Sequence, residues 1–146
     1  MDKNLYLSII RAISAIQDQD SQPLIRHIDL WNRNIEFIEQ DTPWQRPAVF
    51  IEFLPQQWQH LKPAPNSGQT CLMKSQGTLR LHIVTDWHPQ QPLQRIDIVT
   101  LVAKAVTPLR GDTFSSIRLT ETAYSHDHED IVEDIATFTF TAWRQW

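Results

Sequence analysis

The chain has 146 residues, a formal net charge of −4, 41% hydrophobic residues and 21% charged residues. A chain of this length buries roughly 70% of the surface that its unfolded form exposes, enough for one core without disulfides, and its composition fits neither disorder nor a membrane-spanning protein. The lysines and arginines are scattered singly, which argues against direct nucleic-acid binding, and no apolar run reaches the roughly 20 residues of a membrane helix.

Leu5, Ile9, Ala12, Ile13 and Ile16 recur at three- and four-residue steps. They predict a helix capped by Asn4 and ending near Gln19, where Asp18, Asp20, Ser21 and Pro23 break the pattern. This N-terminal segment lacks the apolar run and cleavage site of a signal peptide. Ile25 to Leu30 reads as a strand, and Trp31, Ile35 and Phe37 continue the alternation into a second or a long bent one. Asp41, Thr42 and Pro43 mark a turn. Pro47-Ala-Val-Phe-Ile-Glu-Phe-Leu54 is a strand of β-branched and aromatic residues, apolar enough to be covered on both faces.

Pro55 to Thr70, with its prolines and glutamines, reads as a mobile loop; loops this long inside a domain tend to be functional. Thr78 to Asp86 alternates strictly, with Leu79, Leu81 and Ile83 on one face and Arg80, His82 and Val84 on the other. Leu93, Ile96, Val99, Val102 and Val106 predict a helix over Pro92 to Thr107, stopped by Gly111. Phe114, Ile117, Leu119 and Tyr124 form a looser strand, and Ser125 to Asp130 a polar turn. The last strand is the clearest. Val132, Ala136, Phe138, Phe140 and Ala142 share one parity, while Glu133, Thr137, Thr139 and Thr141 take the other. The element order predicts one α+β domain over the whole chain, with an antiparallel or mixed sheet of about four to six strands and both helices on one face.

Cys71 is the single cysteine, so neither an intrachain disulfide nor a CxxC zinc site exists. A free thiol suits a reducing cytoplasm, where the protein is expected. His126 and His128, with Asp127, Glu129 and Asp130 around them, are the candidate metal ligands; the plainer reading is a solvated turn. His82 and His88 beside Asp86 invite an acid–base reading, against which a histidine satisfied within a sheet is the commoner case. Three separated glycines build no phosphate loop, and no serine sits in a nucleophile elbow. No cofactor is expected. Six tryptophans are many for this length, and tryptophan is enriched at interfaces. Trp58, with His60, Leu61 and Lys62 in the same loop, and Trp87 are therefore interaction candidates. Asp127, Glu129 and Asp130, in an acidic hairpin that could meet basic residues of a neighbouring subunit, are further ones.

Taken together, the N-terminal helix, Pro47-Ala-Val-Phe-Ile-Glu52, the long loop, Leu79-Arg-Leu-His-Ile-Val-Thr-Asp86, the second helix and the closing Ile135-Ala-Thr-Phe-Thr-Phe140 form a succession. It resembles the tail terminator, or tail completion, proteins of long-tailed phages and prophages. The resemblance covers most of the chain and rests on element order and strand texture. It implies a small α+β subunit of a homo-hexameric ring that caps the tail tube and contacts tube and head-completion proteins. It implies no catalysis and no cofactor. A metal-dependent enzyme using His126 and His128, or a peptide-binding adaptor anchored by Trp58 or Trp87, are the alternatives.

Overall fold

The computed structural model describes residues 2–31, 44–61, 71–128 and 130–145, of which 126–128 by their backbone alone. Its first element, α1 (Lys3–Ser14), buries Leu5, Ile9 and Ile13, spaced four apart on one face. Each such side chain contributes about 1.5–3 kcal/mol when fully buried. Asp2, not Asn4, is the cap: its Oδ1 accepts the Leu5 amide at 3.0 Å, and its charge suits the positive helix end. The helix stops at Ser14, short of Gln19, because Asp18 offers the backbone another partner. Asp18 Oδ1 accepts the amides of Asp20 and Gln22 at 2.9 and 3.0 Å, closing a turn that holds Ser21 at φ 61°.

β1 (His27–Leu30) is shorter than the segment from Ile25 and runs parallel to β2 (Ala48–Phe53). Ile25 goes to the core instead. The continuation through Ile35 and Phe37 and the turn at Asp41 to Pro43 lie outside the described residues. In β2, Ala48, Val49, Phe50 and Ile51 are all buried, so both faces are covered as the apolar run predicts. The expectation of a loop over Pro55 to Thr70 is corrected within it. Trp58–His60 form β3, paired antiparallel to Met73–Ser75 of β4 (Leu72–Asp86); 62–70 lie outside the described residues. The Ser75 hydroxyl fastens the approach by donating to the Gln57 carbonyl at 2.8 Å.

β4 begins at Leu72 rather than Thr78. Gly77 explains the polar-looking start, because it lies opposite Phe140 in β6 (Ile131–Gln145) and the ring covers it. A Cβ at Gly77 would come within 2.3 Å of the ring, so the empty side-chain position is filled from across the ladder. α2 (Gln94–Val106) buries Ile98, Val102 and Val106. Its cap is Thr107, whose hydroxyl donates to the Ala103 carbonyl at 3.0 Å. Gly111 therefore does not stop the helix. It stands at the entry to β5 (Phe114–His128), where its amide donates to the Phe114 carbonyl at 2.9 Å. β5 pairs with β6 as far as His128 against Ile131, so the polar turn expected over Ser125 to Asp130 is mostly strand. A strand with one open side tolerates those charges.

The result is an α+β fold. Among the described residues, six strands form one mixed sheet in the order β1-β2-β4-β6-β5, with β3 also on β4, and of their pairings only β1 against β2 is parallel. Both helices pack on one face, over Val49, Ile51, Leu79, Leu81, Ile83, Ala136, Phe138 and Phe140. On the other face Ala48, Phe50, Val84 and Ile131 form a smaller cluster with Trp31 and Trp44. No helix among the described residues is long and apolar enough to cross a membrane.

Candidate functional site: the groove between α2 and β5

A groove of about 500 Å³ lies between α2 and the outer part of the sheet. It follows from register. On β6 the inward parity carries Asp134 beside Ala136 and Phe138, and β5 places Tyr124 opposite Asp134 and Leu119 opposite Phe138. From α2, Ile96, Val99 and Ala103 supply the facing wall. Ile96, Leu119 and Tyr124 remain 47%, 42% and 50% exposed, so a contiguous apolar surface faces outward.

One end of the groove is polar. Arg95 Nη1 donates to Asp134 Oδ1 at 2.6 Å, and the guanidinium carbon stands 4.1 Å from the Tyr124 ring centroid, a cation–π geometry. Asp134 Oδ2 and Arg95 Nε are buried with no hydrogen-bond partner among the described residues. Burial pushes the Asp134 carboxyl above its ordinary range; Arg95 pulls it down by charge and hydrogen bond, and Glu133 pushes it up again. The groove thus joins an apolar floor to an acceptor with unused capacity. The sequence signal for it was the acid at 134, interrupting the inward parity between Val132 and Ala136.

The opposite face carries a second polar group. His82 lies 2.9 Å from Glu133 through Nδ1 and 2.9 Å from Glu52 through Nε2. Trp31 stacks on the ring at 3.8 Å, with planes 3° apart. His82 is only 5% exposed, so both nitrogens are engaged and shielded. This is a cross-strand tie between β2, β4 and β6, and it places His82 apart from His88, which is exposed.

The residues singled out from the sequence are dispersed. Trp58 is half-buried against the main core, with the Arg144 guanidinium carbon 5.0 Å from its ring centroid. His60 and Leu61 are exposed, and His60 Nδ1 is 3.5 Å from Cys71 Sγ. Trp87 donates its amide to the Asp130 carbonyl at 3.0 Å, joining the end of β4 to the hairpin. Asp130 is exposed. Lys62 and Glu129, and the side chains of His126, Asp127 and His128, lie outside the described residues. Among those described, no three His, Cys, Asp or Glu residues are arranged to hold a metal. Compared with protein-family models and with curated proteins, the chain matches none.

Proposed function

We propose that this chain is a structural assembly protein resembling a phage-like tail terminator, a subunit that joins its like in a ring, caps a tail tube and meets the head-completion proteins. The observation that carries the reading is β5 with its groove. β5 runs fifteen residues at the end of the sheet opposite β1, and it borders the exposed apolar wall formed by Ile96, Leu119 and Tyr124. Such a strand and such a patch are both surfaces that a partner covers. Register shifts between Ser115 and Arg118, Leu119 and Glu121, and Ser125 and His128 disrupt its ladder, which discourages indiscriminate strand addition. Docking is then left to side chains in the groove. The tube and connector as partners come from the resemblance in element order.

Light scattering coupled to size-exclusion chromatography tests the reading. The wild-type chain should form a discrete oligomer whose population rises with concentration. Leu119→Lys should weaken association by about 30-fold, the effect of losing an interface residue worth about 2 kcal/mol, while leaving the circular dichroism spectrum and melting temperature nearly unchanged. A wild-type chain that stays monomeric from micromolar to millimolar concentration, at low and high salt, would overturn it.

A further inference from the structure

We infer that the cavity between the first turn of α2 and the ends of β2 and β4 is a binding site for a small oxyanion, the shared chemistry of a phosphate group and a carboxylate. The cavity holds about 130 Å³ and is lined by Arg46, Thr85, His88, Gln91 and Arg95, among others. A water takes about 30 Å³ of liquid, so an oxyanion fits with a water beside it.

Two observations point independently to a ligand. Thr85 is 4% exposed, sits on the helix-facing parity of β4 and lines the cavity, and its Oγ1 has no hydrogen-bond partner among the described residues. A buried hydroxyl without a partner costs about 1–3 kcal/mol, a cost that a bound acceptor removes. Arg95, which borders the cavity from α2, likewise has a buried Nε with no hydrogen-bond partner among the described residues. The second observation is the helix end. α2 has Leu93 at its N-cap and no side-chain capping bond; the Gln94 and Ile96 amides already donate to the Gln91 and Leu93 carbonyls, so what the helix end brings to the cavity wall at Gln94 and Arg95 is chiefly the positive end of its dipole.

Charge decides the ligand class and limits the affinity. The buried unpartnered groups are a hydroxyl and an N–H, on Thr85 and Arg95; the Asp86 carboxylate also lines the cavity, and both guanidiniums already hold one carboxylate each: Arg46 Nε on Asp86 at 2.5 Å, Arg95 Nη1 on Asp134 at 2.6 Å. An anion would use what remains of the two forks, so binding should be selective for geometry and weak. The site is separate from the groove proposed for assembly, although Arg95 borders both.

Thermal unfolding of the full chain in sodium phosphate and in sodium acetate, each against sodium chloride at equal ionic strength, tests the inference. One or both oxyanions should raise Tm, by about 3 °C or more at ten times the dissociation constant. A larger response to phosphate assigns a phosphoryl ligand, and one to acetate a carboxylate. Thr85→Val should keep the Tm in chloride, or raise it, and lose the oxyanion response; Arg46→Gln should lose it as well, and decides the matter alone if Thr85→Val does not fold. No rise beyond chloride in the wild type, or an equal rise in the variants, would mean that the cavity holds only water, and would overturn the site.

Discussion

Asp134 occupies the inward parity of β6, where Val132, Ala136, Phe138, Phe140 and Ala142 are all buried apolar residues. Burial disfavours its charged form more than Arg95, hydrogen-bonded at 2.6 Å, favours it, so the carboxyl titrates above its ordinary range. The consequence for stability has a definite sign. As pH rises through the carboxylate range, Asp134 in the unfolded chain loses its proton first. The native state then binds more protons than the unfolded state, and stability falls with pH until the native carboxyl has also ionised. Below the unfolded range and above the native one, this contribution is flat. Asp134→Asn cannot titrate, so subtracting its stability from that of the wild type cancels the other carboxylates. Urea unfolding from acid to neutral pH should show this difference declining across the carboxylate range. A difference that grows with pH would mean that the arginine outweighs burial.

At the scale of strands, the Glu52–His82–Glu133 tie joins β2, β4 and β6 across the sheet face that the helices leave open. Its two arms are unequal in environment. The Glu133 side chain is 13% exposed and that of Glu52 29%, so water screens the second arm more. Glu133→Gln should cost about 1–3 kcal/mol, the range for a buried hydrogen-bonding partner weakened in place. Glu52→Gln should cost under about 1 kcal/mol, closer to a surface pair. Chemical denaturation of the two variants measures this, and equal losses would refute the asymmetry. That His82 is a satisfied sheet histidine was legible in the sequence; its partners were not, because Glu52 and Glu133 lie 30 and 51 positions from His82 and meet it only through register. What local pattern governs was legible: the apolar face of α1, the place of α2, β2 covered on both sides, the alternation of β4 from Thr78 and of β6 throughout. The buried face of α2 was read only in part, since Ile98 joins Val102 and Val106 in the core while Leu93 and Ile96 stay 67% and 47% exposed. What failed depended on partners. β3 is three residues whose strand character comes from Met73–Ser75. The start of β4 looked polar because Phe140 fills the space above Gly77. Asp134 belongs to the groove, and parity alone carried that signal.

Across the whole molecule, β4 and β6 form the centre on which the rest is hung. Each has fifteen residues and they pair along their full lengths. β4 is flanked on its other side by β2 and β3, and β6 by β5, so neither can open without breaking two ladders and the core between sheet and helices. β1 is the opposite case: four residues, terminal in the sheet and, among the described residues, paired only with β2. Opening it costs few hydrogen bonds and little buried apolar surface. Native-state amide exchange should therefore be slowest for Leu79 to Ile83 and Ala136 to Phe140, near the rate set by global unfolding, and fastest among strands for β1 and the three-residue β3. β5 should fall between, since its ladder to β6 is long but interrupted by register shifts. The same measurement bears on assembly. If β5 and the α2 groove meet a neighbouring subunit, raising the concentration should slow exchange in β5 and in the Ile96 to Ala103 stretch, leaving β1 unchanged. Protection that rose equally in all strands would indicate general stabilisation, and protection confined to β1 would place the contact at the opposite edge of the sheet.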